Sequence, residues 1–396
     1  MSRFFTTAKG NAGSRRALLN LAAGSLWYSP GSFGMAGLLG PRYSLRCVLF
    51  HNVSDTESAF TKGLGVTVTR KNFEAALKFV TKHYTPVSLQ DVIADSDGRR
   101  LPPRPVLVTF DDAYASVREF AAPLCSKFGV PAVFFVNGLC LDNRRLALEN
   151  LICYVANQFG MGMVNAAIRS VQGTGDLEVR SLVEVFSRFL PRTALSGREA
   201  FRRALASLAR ISESDLAAEA GLYLTTHQLR DLATFKFEIG NHTYSHANCR
   251  ALLAEDFAGE VDRNKAVLEE SSGTAVRSFS VPYGSSSDLT TDLVAHLQRS
   301  GYQAVFLAEG SANSWSSLGS HVDRVSIKGS TDAALFSEIE ILTRLRTIRN
   351  SLFGVAKVQS SCRVTGADNY RQTSWPCTSD DRVGIGAEAQ RANPRA

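Results

Sequence analysis

Apolar runs and helical stripes alternate along most of this chain. Residues 46–53 (RCVLFHNV) place Val48, Leu49 and Phe50 in one β-prone block, which predicts a first strand. Downstream, Phe73, Leu77 and Val80 recur at the spacing of one helix face. The run PVLVTF (105–110) is continuously apolar, as expected of a strand buried on both faces. A helix over 115–130 and a second buried strand, PAVFFVNG (131–138), follow. Strand, helix, strand in that order predicts a βαβ unit and a parallel sheet, hence an α/β fold.

From about 141 to 224 the pattern turns helical, with LALENLICYVANQF, SLVEVFSRFL and GREAFRRALASLARI as its clearest stripes. We read this stretch as an insertion on one side of the sheet. The alternation then resumes: helix (TTHQLRDLATF), strand into loop (KFEIGNHTYSH), helix, strand into loop (VRSFSVPYG), helix and strand (YQAVFLA), with HVDRVSI (321–327) as the last strand. Beyond about 354 the chain is polar and aperiodic, the composition of a mobile tail. The domain reading is thus a basic leader over 1–45, an α/β body over 46–353 carrying the insertion, and a disordered tail over 354–396.

Three predicted strand ends carry chemistry. The first ends in Asp111 and Asp112, side by side where repulsion and desolvation both oppose a charge pair. The second, NHTYSH, sets His242 and His246 four residues apart, so that one cation can sit between them. The third is SVPYG, Ser280 to Gly284. In parallel α/β folds such loops converge on one rim. Two histidines and a carboxylate would leave open positions on a metal, and the second aspartate would be free to accept a proton. Each motif alone also has a plain reading: a helix cap for the aspartates, an ordinary histidine pair, and a turn. The HExxH glutamate of zinc proteases is missing.

Taken in order, the three motifs resemble those of the polysaccharide deacetylases, the NodB-homology carbohydrate esterases of family 4. TFDDA (109–113) resembles the family's TFDDG, HTYSH (242–246) its H-S/T-x-x-H, and FSVPYG (279–284) its PYG motif. VLFHNVSD, and GYQAVF with DRVSI at the far end, add to the likeness. The resemblance implies a distorted (β/α) barrel of fewer than eight repeats and metal-dependent removal of N-acetyl groups from an amino-sugar polymer or glycan. It also implies a divalent cation, zinc first with cobalt or nickel as alternatives, on Asp112, His242 and His246. Asp111 would be the general base, and Tyr283, beside Pro282, would meet the substrate and stabilise the oxyanion through its N–H.

The chain departs from that family in three places. Ala113 stands where glycine is usual. Ser280 replaces the arginine that orients the base, a part for which Arg324 is the candidate, with Arg277 behind it. No clear acid histidine exists; His321, before the last strand, is the nearest counterpart, and His51 could line the rim. These departures leave a rival reading, a catalytically impaired relative that binds glycans.

Charge and cysteines narrow the setting. Of the net +7, residues 1–46 hold +6 (Arg3, Lys9, Arg15, Arg16, Arg42 and Arg46, with no acid), which leaves the body near neutral and argues against nucleic acid as a partner. The apolar part of the leader is broken by Asn20, Pro30 and glycines, so it predicts a surface helix packed on the body or a peripheral membrane contact, not a span. Seven scattered cysteines without a CxxC pair argue against a disulfide framework. They favour a reducing compartment, and with the leader the expectation is the cytoplasm or the membrane periphery over secretion.

Overall fold

The computed structural model describes residues 26–29, 31–37, 45–95, 101–172, 177–235, 237–313 and 321–352. Most of the leader and the whole tail over 354–396 therefore lie outside the described residues. Eleven strands occur among the latter: β1 (Arg46–Phe50), β2 (Asn52–Val53), β3 (Thr67–Val68), β4 (Thr85–Pro86), β5 (Pro105–Phe110), β6 (Ala132–Val136), β7 (Glu238–Asn241), β8 (Ser278–Ser280), β9 (Ala304–Leu307), β10 (Val322–Asp323) and β11 (Val325–Ser326). The main sheet runs β10-β9-β8-β7-β6-β5-β1-β11, every pair parallel, with β4 added beside β5.

Its two ends, β10 and β11, are separated in sequence by Arg324 alone. The sheet therefore curls until a single stretch of chain serves both edges, which makes a nearly closed (β/α) barrel. The expected last strand over 321–327 is real but broken at that seam, where the Arg324 N–H donates to Leu307 O at 3.1 Å.

Alternation along the strands sorts side chains into two cores. Val48, Phe50, Val106, Val108, Phe110, Phe134 and Leu307 pack outward against the helices, whereas Cys47, Leu107, Val133, Phe135, Phe306 and Val322 fill the barrel. A period of two follows from the pleat. It also fixes the site: Thr109 and Asp111 continue the inward series of Leu107, and Arg324 continues that of Val322. The helix Leu89–Ala94 joins the inner core from below through Leu89 and Val92. Gly240 of β7 belongs to this crowded interior, since a Cβ there would lie 2.3 Å from the Phe135 ring.

The stretch between β6 and β7 holds the helices Leu148–Phe159, Met161–Gln172, Leu195–Ala209 and Glu213–Ala220. Their stripes build a separate apolar cluster, including Leu151, Ile168, Phe186 and Phe201, which reaches the barrel through Tyr114 and Leu64. In the leader, Trp27 packs on Phe79, His83 and Phe336, and Phe33 of the helix Ser32–Gly37 packs on Tyr84. No described helix is long and apolar enough to cross a membrane. The five described cysteines are free and buried.

Candidate metal centre and cavity

Three loops at the carboxyl ends of β5, β7 and β8 meet over the barrel mouth. All three are strained. Asp112 (φ 73°), Ala113 (φ 56°), Thr243 (φ 58°), His246 (φ 56°) and Tyr283 (φ 63°) adopt left-handed backbone, which costs on the order of 1 kcal/mol or more for each non-glycine residue. Such conformations persist only where surrounding contacts over-determine them. Ala113 thus takes the backbone a glycine would take, and an Ala113→Gly variant is expected to keep metal affinity and turnover within about twofold, measured by titration and product release.

Asp112 Oδ1 lies 3.4 Å from His242 Nε2 and 3.5 Å from His246 Nε2. One donor atom from each of the three residues falls within 4.8 Å of the other two. Donors about 2.1 Å from one tetrahedral ion stand about 3.4 Å apart, so these separations suit a shared ion. Asp112 Oδ1 is also buried without a hydrogen-bond partner. Burial opposes its ionisation, but the facing His246 and His242 outweigh that and hold its carboxyl below the usual range. The residues present therefore fit a divalent cation.

Each histidine is turned by what its other nitrogen meets. His242 Nδ1 sits 2.8 Å from the Ser280 carbonyl, to which it can only donate, leaving the Nε2 lone pair free. His246 Nδ1 lies 3.3 Å from Glu149 Oε2, a carboxylate of the insertion.

Asp111 stands in a different environment. Arg324 donates from Nη1 to Oδ1 at 2.7 Å and from Nη2 to Oδ2 at 2.8 Å, a bidentate pair, and Nη2 also donates to Ser280 Oγ at 2.7 Å. The guanidinium is buried, its Nε donates to Leu307 O at 2.9 Å, and it lies 5.2 Å from the Phe135 ring centroid. Burial would raise the Asp111 carboxyl, but Arg324 and His242 prevail and lower it. With both oxygens engaged by Arg324, Asp111 is the less available of the two aspartates for an ion.

A cavity opens over these groups, walled by Leu49, Leu64, Val66 and Ala308 beside His51, Tyr114 and Tyr283. The third loop reaches its wall because Gly284 (φ 68°) packs against Ala308, whose backbone N would lie 2.5 Å from any Cβ. Burial lowers the pKa of His51.

Residues 208–305 match the family model described as polysaccharide deacetylase. Over that segment the chain is similar to the polysaccharide deacetylases. The match takes in His242, His246 and Tyr283 but not the aspartate pair, which lies upstream of it. No curated protein matches in sequence. Among solved structures, the chain is similar to IcaB from Ammonifex degensii, at 18% identity over 75% of this chain and 97% of that one, with a TM-score of 0.48. The deacetylase PplD of Streptococcus pyogenes, solved with acetate, is 12% identical over 77% and 97%, with a TM-score of 0.46. The BpsB deacetylase domain from Bordetella bronchiseptica is 18% identical over 71% and 95%, with a TM-score of 0.42.

Relative to the deacetylase motifs, the expected residues divide. Asp111, Asp112, His242, His246, Tyr283 and Arg324 all line the one cavity. Pro282 is buried at the turn and is not part of the wall. His321 precedes β10, on its amino-terminal side, three residues below Arg324, which is about 10 Å of extended chain. That puts it away from the rim, and it too is absent from the wall. Arg277 donates to Gln90 at 3.4 Å in an exposed contact and does not approach Asp111. Glu149 and Arg198, both from the insertion and both buried, went unnoticed in the sequence. An acid in a first helical turn is expected for dipole reasons, which hides Glu149. Arg198 did leave a signal, since it falls in phase with Phe201, Leu205 and Ala209 on the apolar stripe of its helix.

Proposed function

We propose that this protein is a metal-dependent N-deacetylase acting on an amino-sugar glycan or polysaccharide. The observation that carries the reading is the convergence of Asp112, His242 and His246 on one point, with the buried Asp112 Oδ1 lacking any hydrogen-bond partner. A divalent cation on those three side chains would supply Lewis acidity toward an amide carbonyl and acidify water at neutral pH.

The chain's own groups do the rest. Asp111 accepts the proton of the attacking water, held in aim by the two Arg324 nitrogens. Its lowered pKa makes it a modest base but a strong acid once protonated, which suits returning the proton to the departing amine. The Tyr283 N–H, presented by the left-handed turn, donates to the oxygen that gains charge. His321, from where it stands, takes no part. Leu49, Leu64 and Val66 offer the acetyl methyl an apolar wall.

Asp112→Ala and His242→Ala are each expected to lose metal and activity together, read as metal content after purification and acetate release from N-acetylglucosamine oligomers. Either variant retaining both would refute the ligand set. Bound metal in the parent with no acetate released from any of several glycans would favour the glycan-binding alternative.

A further inference from the structure

We propose that Glu149 is a positioning residue for the metal centre, through which the helical insertion sets the orientation and donor strength of His246. This rests on reading Asp112, His242 and His246 as a metal site. The insertion grips His246 at both ends. Glu149 Oε2 faces the ring at Nδ1, 3.3 Å away, while Arg198 Nη2 donates to the His246 carbonyl at 3.2 Å. Neither Glu149 Oε2 nor His246 Nδ1 has a hydrogen-bond partner elsewhere, so the two buried atoms have only each other.

The carboxylate is itself held. Its Oε1 accepts from Arg198 Nη2 at 3.0 Å and from the Tyr283 hydroxyl. Arg198 Nη1 donates to that same hydroxyl at 3.3 Å. Glu149 is 6% exposed and Arg198 5%, so both charges are desolvated and each depends on the other. One carboxylate thereby links a candidate ligand, the strained third loop and two helices of the insertion.

The two histidines are backed differently. His242 leans on a neutral backbone carbonyl, His246 on a full negative charge. A carboxylate behind a ligating imidazole fixes its tautomer and makes its free nitrogen a better donor, and losing such a partner commonly costs 10- to 100-fold in metal affinity. The insertion is then part of the metal site and not merely a wall over it.

The test is zinc(II) titration by calorimetry of the parent and Glu149→Gln proteins, with the visible absorption of the cobalt(II)-loaded forms alongside. Glu149→Gln keeps the shape and removes the charge. Zinc affinity is expected to fall about 10- to 100-fold, with an altered cobalt spectrum. A purely structural role would lower thermal stability while leaving affinity and spectrum of the folded protein unchanged, and that result overturns the proposal. If Glu149→Gln does not fold, Glu149→Gln/Arg198→Met, which removes both charges together, is read in the same way. A parent protein that binds no metal would instead overturn the metal reading itself.

Discussion

An Asp111→Asn protein is expected to bind divalent metal as the parent does while releasing acetate about 10²- to 10⁴-fold more slowly, the range for losing a positioned general base. The two aspartates are neighbours in sequence but not in surroundings. Arg324 occupies both oxygens of Asp111, whereas Asp112 offers an unpartnered oxygen to the histidine pair. An amide in place of the carboxylate can still accept one guanidinium bond but cannot take a proton. Because the change leaves a buried cation facing a neutral group, some stability is lost as well, and rates should be compared well below the melting temperature. Full activity would place the base elsewhere. Loss of metal would make Asp111 a ligand.

Arg324→Met is expected to reduce stability by about 3–5 kcal/mol, on the order of 10 °C in melting temperature, and to abolish turnover. Arg324 is 1% exposed, stands at the seam where the barrel's two edges share one stretch of chain, and makes bonds to Asp111, Ser280 and Leu307. Removing it leaves the buried Asp111 carboxylate without either of its guanidinium bonds. The double variant Asp111→Leu/Arg324→Met should recover much of that stability, since replacing a buried pair together is far cheaper than breaking it. It should recover no activity. Thermal unfolding of the parent, the single and the double variants distinguishes the cases. A double variant no more stable than the single one would mean that Arg324 acts through the seam and not through the pair.

The strands were legible because burial on both faces leaves continuous apolar runs, as in PVLVTF and AVFFV. The site's parts were legible because each follows such a run. Two aspartates at the end of β5 and histidines four apart after β7 are local patterns, readable without knowing what lies across the barrel. Arg324 could be nominated to replace the arginine missing at Ser280, being a charge inside a short apolar strand. The bidentate grip on Asp111 could not be read, because it depends on the sheet closing at that residue.

What the order of residues determined by itself is the set of elements and the candidate ligands on their ends, since hydrophobic period and i,i+4 spacing are properties of neighbours along the chain. Tertiary structure alone decided which charges meet. It set Glu149 and Arg198 behind His246, kept Arg277 outside, and left His321 below the rim. The physical reason is that a buried charge is tolerable only beside its partner, and partners distant in sequence are chosen by how helices and strands pack, which no local pattern records.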